Sequence, residues 1–310
     1  MKILVTCPPM LRQLDLLEAE FARRSWTVTA PDIVQTLSVA ELCRLVPEHD
    51  GWIIGDDPAN AEVVAAASAG NLKAAVKWGA GTDNVDFSAF EQAGIPVTNT
   101  PGMFGNEVAD VALGYLIGLA RLTFEIHQGV SKGEWPKPTG TSLAGKTVGL
   151  VGYGDIGRQL ARRLLVCGMR AQIYDPAVEE SALSAESGLT LHQWPKELAE
   201  CDFICFTCAL TEANRHMLGE EALALTRSGV RIVNVARGPL IDEKALFDAL
   251  LSGQVASAAL DVFEEEPLAP DHALRQHPQI IFGSHNASNT LEAVIRTSLQ
   301  AIYQMSEALP

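Results

Sequence analysis

The chain is short of positive charge. Against 38 Asp and Glu it carries 23 Lys and Arg, a formal charge of −15 over 310 residues. So acidic a chain repels nucleic acid and anionic membrane surfaces, and neither is an expected partner. Long apolar runs are also missing. The longest, Val111 to Ala120, lies between Asp110 and Arg121 and is far below a membrane span. The opening run Lys2–Thr6 stops before Pro8-Pro9, too short for a signal-peptide core, so it reads as a first strand and the expected location is the cytoplasm. Six cysteines in a chain of this length are no disulfide framework. Cys205 and Cys208 form a CxxC with Cys201 nearby, the spacing of a redox or metal pair. No second ligand pair follows, so these residues read as small apolar side chains of a buried strand, and no metal site is expected. Short-period repeats and low-complexity tracts are absent.

What is present is an ordinary globular composition, 47% apolar and 20% charged, long enough for about two domains. Short apolar strands alternate with helical patterns, which predicts parallel sheets with crossover helices. A first series places strands near Ile3–Thr6, Val28, Trp52–Ile54, Ala75–Lys77 and Val97. A second runs through Thr147–Val151, Ala171–Tyr174, Phe203–Phe206, Ile232–Val235, Ser257–Leu260 and Ile280–Phe282. Two apolar helical segments, Val108–Ala120 and Thr123–Lys132, separate the series, and the stretch Gly133–Pro138 reads as an ordered loop. A last amphipathic helix carries Leu291, Val294, Ile295, Leu299, Ile302 and Tyr303 at helical spacing.

The second series opens on Gly152-Tyr153-Gly154-Asp155-Ile156-Gly157. GxGxxG alone is a weak signal, but here a strand precedes it, the helix Arg158–Val166 follows, and the next strand ends in Asp175. In that setting Gly152 permits the tight turn, Gly154 lets backbone approach a pyrophosphate, and Gly157 lets helix and strand pack closely. The helix N-terminus offers unpaired N–H groups to the phosphates. Asp175 accepts hydrogen bonds from ribose hydroxyls and repels a 2′-phosphate, so the expected cofactor is NAD.

Hydride transfer to a keto acid needs a proton donor, a cation for the carboxylate and carbonyl, and a group that holds the donor. Three residues at strand ends supply these types. Arg237 follows the strand Ile232–Val235, Glu266 follows the strand that ends near Leu260, and His285 follows Ile280–Phe282. Ligands of open α/β sheets collect at the carboxyl ends of strands, so the three are expected to converge. The other histidines, His49, His127, His192, His216, His272 and His277, have no such context.

At these motifs the chain resembles the D-2-hydroxyacid dehydrogenase family over essentially its whole length. The resemblance rests on GYGDIG with Asp175, on NVARGPLIDEKAL (234–246), on ALDVFEEEP (259–267) and on SHNASNTLEA (284–293). It implies that Arg237, Glu266 and His285 are catalytic and that Asp261 contacts the cofactor. Further cofactor contacts are expected at Thr207, Thr211, Val235 and Ala236. The stretch Lys77–Asp86 resembles the family's glycine-rich substrate loop, with substrate contacts at Lys77, Gly79, Ala80, Gly81, Arg237 and His285. The implied fold is two doubly wound parallel-sheet domains, a Rossmann nucleotide domain (99–287) inserted into a flavodoxin-like substrate domain (1–98 plus 288–310). Similar proteins dimerise through the helices corresponding to about 104–132, so a homodimer is expected.

The chain departs from the family pattern at Ser284, where a Pro usually precedes the His, at Ala209 and at Asp110. None of these removes a chemical group. Formate dehydrogenases are an alternative, but they use an amide where this chain has Glu266. An NAD-sensing, co-repressor-like binding protein is another, but the chain has no basic tail or long extension. The glycine loop resembles the phosphoglycerate dehydrogenase branch. Where that branch often has an Arg-Ser pair, this chain reads Gly55-Asp56-Asp57, with Lys77 the only obvious cation nearby. The expected substrates are therefore small unphosphorylated 2-keto acids. With the chain ending at Pro310, no serine feedback is expected.

Overall fold

The structure is a computed structural model that describes residues 1–183 and 187–309. The chain divides into two compact units. Unit 1 is Met1–Phe104 with Ser288–Pro310, and unit 2 is Gly105–Ala287, so the second is inserted into the sequence of the first.

Unit 1 begins with β1 (Lys2–Val5), α1 (Pro8–Leu11), α2 (Leu14–Arg23), β2 (Thr27–Thr29), α3 (Val39–Leu45) and β3 (Gly51–Ile54). It continues with α4 (Ala61–Ser68), β4 (Ala74–Lys77), α5 (Phe87–Gln92) and β5 (Val97–Asn99). Local chemistry starts several of these helices. Ser38 and Glu41 form a capping box on α3, and Asn60 and Asp86 cap α4 and α5 through the N–H groups of Val63 and Ala89. The strands pair in parallel in the order β2-β1-β3-β4-β5, the flavodoxin-like order. On one face Leu4, Trp52, Ile54, Val63 and Phe90 form a buried core.

Unit 2 comprises α6 (Gly105–Arg121), α7 (Thr123–Ser131), β6 (Thr147–Val151), α8 (Asp155–Val166), β7 (Arg170–Tyr174), β8 (Leu189–His192) and β9 (Phe203–Phe206). It is completed by α9 (Glu220–Ala224), β10 (Val230–Asn234), α10 (Glu243–Ser252), β11 (Val255–Leu260) and β12 (Ile280–Phe282). Its parallel sheet runs β12-β11-β10-β9-β6-β7-β8, the Rossmann order with one more strand at an edge. The edge strand β8 is absent from the sequence reading. Only Leu189 of its four residues is buried and Thr190 is exposed, so it lacks the apolar run that marks the central strands. The last helix, α11 (Leu291–Ala308), starts at a Thr290 cap and packs on α1, α2 and β4 of unit 1. Among the described residues no helix is long and apolar enough to cross a membrane.

Candidate active site

The strand order of unit 2 reverses between β6 and β9, the point at which a doubly wound sheet leaves a crevice for a ligand. The glycine turn sits there. Gly152 adopts φ +96°, and a Cβ on it would lie 2.6 Å from the Cys208 nitrogen. A Cβ on Gly157 would lie 2.2 Å from the Gly152 carbonyl oxygen, so α8 starts hard against the turn. Around Gly154 nothing comes within 4 Å of such a Cβ, so protein packing does not demand glycine there. That open space would let a ligand come close to the N-terminus of α8. Thr207, at the end of β9, donates its hydroxyl to Gly152 O (2.9 Å) and pins the turn from the other side of the crevice.

Asp175 ends β7. Its Oδ2 accepts from Tyr153 N at 2.7 Å and its Oδ1 from Ala177 N at 2.9 Å. Each carboxylate oxygen keeps a second lone pair, which is what two ribose hydroxyls need. Residues of this type in this arrangement fit a dinucleotide. Asp155 and Ile156 open α8, and the exposed Arg158 stacks over Tyr153, 5.6 Å from the ring centre. Val235 and Ala236 are buried just past β10. Thr211 is exposed and held by Asn214 Oδ1 (2.7 Å), at the head of a short 3₁₀ turn.

His285, Glu266 and Asp261 are brought together by β11 and β12. Glu266 Oε2 lies 2.7 Å from His285 Nδ1, and Glu266 Oε1 accepts from Phe263 N at 2.9 Å. Both side chains are about four-fifths buried, at 23% and 21% exposure. His285 takes the left-handed conformation at φ +53°, costly for a residue with a Cβ. Asp261 holds it there. Its carbonyl accepts from His285 N at 2.6 Å, and its buried carboxylate accepts from Ala287 N at 2.9 Å and Asn286 N at 3.3 Å. Tyr115 of α6 adds a hydroxyl to Asp261 Oδ1 at 3.3 Å. Burial, reinforced by the Asp261 charge, pushes that hydroxyl up, so it stays a donor.

Arg237 sits half-buried after β10, with one guanidinium nitrogen donating to Ala236 O at 2.8 Å. A Cβ on its neighbour Gly238 would lie 1.9 Å from the Phe263 carbonyl carbon. Glycine thus lets the Arg237 segment rest on the stretch that leads to Glu266. Asn234 closes the loop by donating to Arg237 O (2.9 Å) and accepting from Ala236 N (3.0 Å). Sequence reasoning gave no role to Asn234 or Tyr115. The only signal for Asn234 was a turn-forming residue at a strand end, and Tyr115 carried none.

In unit 1, Lys77 is buried and its ammonium lies 3.1 Å from both Asp56 Oδ1 and Trp78 O. In the glycine loop, Gly79 N donates to the buried Thr100 hydroxyl at 2.7 Å, so of the three N–H groups expected to meet substrate that one has a partner within the protein. Cys205 is fully buried in β9, and burial pushes the thiols of Cys201 and Cys208 up to about 12. Thiols held protonated are poor nucleophiles and poor metal ligands. Among the described residues no group of His, Cys, Asp and Glu is arranged to hold a metal ion.

Comparison with known proteins adds four findings. The family model described as D-isomer specific 2-hydroxyacid dehydrogenase, NAD binding domain, matches residues 113–287. A hydroxypyruvate reductase of Thermotoga maritima is 36% identical over 276 residues, covering 87% of this chain and 88% of the relative. A D-3-phosphoglycerate dehydrogenase of Archaeoglobus fulgidus is 33% identical over 88% of this chain, which spans about half (53%) of that protein's length. Among solved structures, a Thermus thermophilus protein superposes with a TM-score of 0.88 at 31% identity, covering 100% of this chain and 97% of that one.

Proposed function

This chain belongs to the D-isomer specific 2-hydroxyacid dehydrogenase family, an NAD-dependent oxidoreductase of 2-hydroxy acids, and we propose that it interconverts small unphosphorylated 2-keto acids and their D-2-hydroxy acids. In this reading His285 is the proton donor, Glu266 holds it and Arg237 binds the substrate. The observation that carries the assignment is the 2.7 Å bond between His285 Nδ1 and Glu266 Oε2, with the other Glu266 oxygen tied to Phe263 N–H.

An ionised carboxylate only accepts, so the imidazole donates through Nδ1, and Nε2 is left to carry the proton exchanged with substrate. Held by the glycine turn and Asp175, NADH would supply the hydride for the keto carbon. His285 Nε2–H gives its proton to the keto oxygen as that oxygen becomes an alcohol, and takes it back in the oxidation. Glu266 stabilises the imidazolium and keeps the ring from turning. The planar Arg237 guanidinium pairs with the substrate carboxylate and draws charge from the carbonyl. The glycine loop at Ala80 and Gly81 is the element of unit 1 assigned to the substrate. A homodimer through α6 and α7 belongs to the same reading, supported by the exposed apolar Ile117, Phe124 and Val130. Sedimentation velocity tests it, and a single-chain species at micromolar concentration would remove it.

Asp175 defines the cofactor prediction. Its carboxylate would face a 2′-phosphate with like charge, so Asp175→Ala is expected to raise the NADPH-to-NADH ratio of kcat/KM about tenfold, the scale of one partly screened charge pair. An unmodified enzyme equally efficient with both cofactors would contradict the assignment.

Steady-state kinetics with NADH and glyoxylate, hydroxypyruvate and 3-phosphohydroxypyruvate test the substrate class. The unphosphorylated acids are expected to be reduced at least as efficiently as the phosphorylated one. A preference above about 100-fold for the phosphorylated acid, roughly 2.7 kcal/mol of differential transition-state binding, would return the chain to the phosphoglycerate branch.

A further inference from the structure

The contacts that hold the His285 loop end outside the β11–β12 connection, on α6. Asp261, the first residue after β11, is at their centre. Its main chain is fixed to the sheet, with its N–H donated to Asn234 O at 2.9 Å. The residue is buried, and three donors meet its two carboxylate oxygens. Oδ2 accepts from Ala287 N at 2.9 Å, and Oδ1 accepts from Asn286 N and from the Tyr115 hydroxyl, each at 3.3 Å.

These donors are of two kinds. The Asn286 and Ala287 N–H groups belong to the loop itself. They fix the carboxylate to the loop but would move with it. Tyr115 comes from α6, a helix of 17 residues that packs on β10 and β11. Its hydroxyl ties the carboxylate to a regular element of the same unit, since all of these residues fall within Gly105–Ala287. Gly283 makes room for the contact. A Cβ there would lie 2.1 Å from Asp261 Oδ1 and 2.4 Å from the Tyr115 hydroxyl oxygen, so a side chain at 283 would take the space in which the two meet.

The loop has a reason to need such a tie. His285 sits at φ +53°, a conformation that persists only where the surroundings over-determine it. Removing one restraint lets the loop relax toward ordinary backbone, and the imidazole moves with it. A displacement of about 1 Å at a reacting group can cost up to about 10²-fold in rate.

We propose that Tyr115 is a positioning residue: through Asp261 its hydroxyl holds the strained His285 loop in the geometry from which the imidazole transfers its proton. This rests on the proton-donor role proposed above for His285. Tyr115 acts on the rate of the chemical step and not on substrate binding.

The test is a cycle of Tyr115→Phe, His285→Ala and the double variant. Phenylalanine keeps the ring and its packing and removes only the hydroxyl. The readout is the single-turnover rate constant for NADH oxidation when enzyme loaded with NADH is mixed with saturating glyoxylate, which separates chemistry from binding and release. A partly folded variant lowers the amplitude of that phase and leaves its rate constant, so poor folding does not imitate the effect. Tyr115→Phe is expected to lower the rate constant about tenfold, the scale of one hydrogen bond to a charged group, with the half-saturating glyoxylate concentration within about a factor of two. In the His285→Ala background the same substitution is expected to change the rate constant less than about twofold, because the group it positions is gone. An unchanged rate constant in Tyr115→Phe, or an equal loss with and without His285, overturns the proposal. The two readings fail differently. If the unmodified enzyme does not reduce the keto acid, or His285→Ala costs less than about tenfold, the proposed reaction falls and this inference with it. If His285→Ala costs more than that and Tyr115→Phe costs nothing, only the role of Tyr115 falls.

Discussion

Replacing His285 by Ala is expected to lower kcat for keto-acid reduction by about 10² to 10⁴, the range spanned by a positioned general acid. The size follows from geometry. The imidazole is held on one side by Glu266, and its loop is fastened at three backbone N–H groups, those of His285, Asn286 and Ala287, by Asp261. None of those three contacts uses the imidazole, so the loop survives its removal and the loss falls on the proton transfer. Binding of NADH, read by its fluorescence, is expected to stay within about a factor of two, because the cofactor residues of the glycine turn are untouched. His285→Gln serves as a second variant, polar and of similar length but without a proton to donate at neutral pH. A loss below about tenfold in both variants would move the acid role to another group.

Arg237→Lys is the second large effect. Lysine keeps the charge but not the planar fork, and a fork matches carboxylate and carbonyl oxygens together. Losing one charge-assisted hydrogen bond is worth roughly 1.5–3 kcal/mol, or about 10- to 100-fold in kcat/KM. The loss is expected in both KM and kcat, since in the proposed reaction the same group binds the ground-state carboxylate and stabilises charge developing on the carbonyl oxygen. The bond from Arg237 to Ala236 O and the Asn234 bridges keep the loop shape, so NADH affinity is expected to hold. If NADH affinity collapses while keto-acid KM is steady, Arg237 belongs to the cofactor.

Much of this site was legible because its signals are local. The glycine turn, the strand before it and Asp175 all fall within one β-α-β unit, where spacing alone fixes their relation. Glu266 and His285 were legible as residue types just beyond strands, and parallel neighbours β11 and β12 carry such positions to one end of a sheet. The supports were not legible. Tyr115 reaches Asp261 across 146 residues of sequence, a contact set by how α6 packs on the sheet. Asp261 was expected as a cofactor residue, and its hold on the His285 loop depends on a left-handed turn that no residue type announces. The Lys77–Asp56 pair is of the same kind. Both residues were visible, but only the β3–β4 register brings them together, with Asp56 the more exposed of the two. The bond from Gly79 N to the Thr100 hydroxyl was hidden for a similar reason, since that hydroxyl comes from beyond β5.

The central claim is that reduction depends on a proton carried by His285 under the control of Glu266. The measurement that tests it is the pH profile of kcat/KM for glyoxylate reduction, compared between the unmodified enzyme and Glu266→Gln. In the proposed reaction a protonated imidazole is required for reduction, so activity is expected to fall as the pH rises and the ring loses its proton. The Glu266 carboxylate favours the charged ring, and an amide does not. The account predicts that Glu266→Gln moves this alkaline fall to lower pH, while circular dichroism and NADH binding stay those of the unmodified enzyme. A fall at the same pH in both proteins would contradict it.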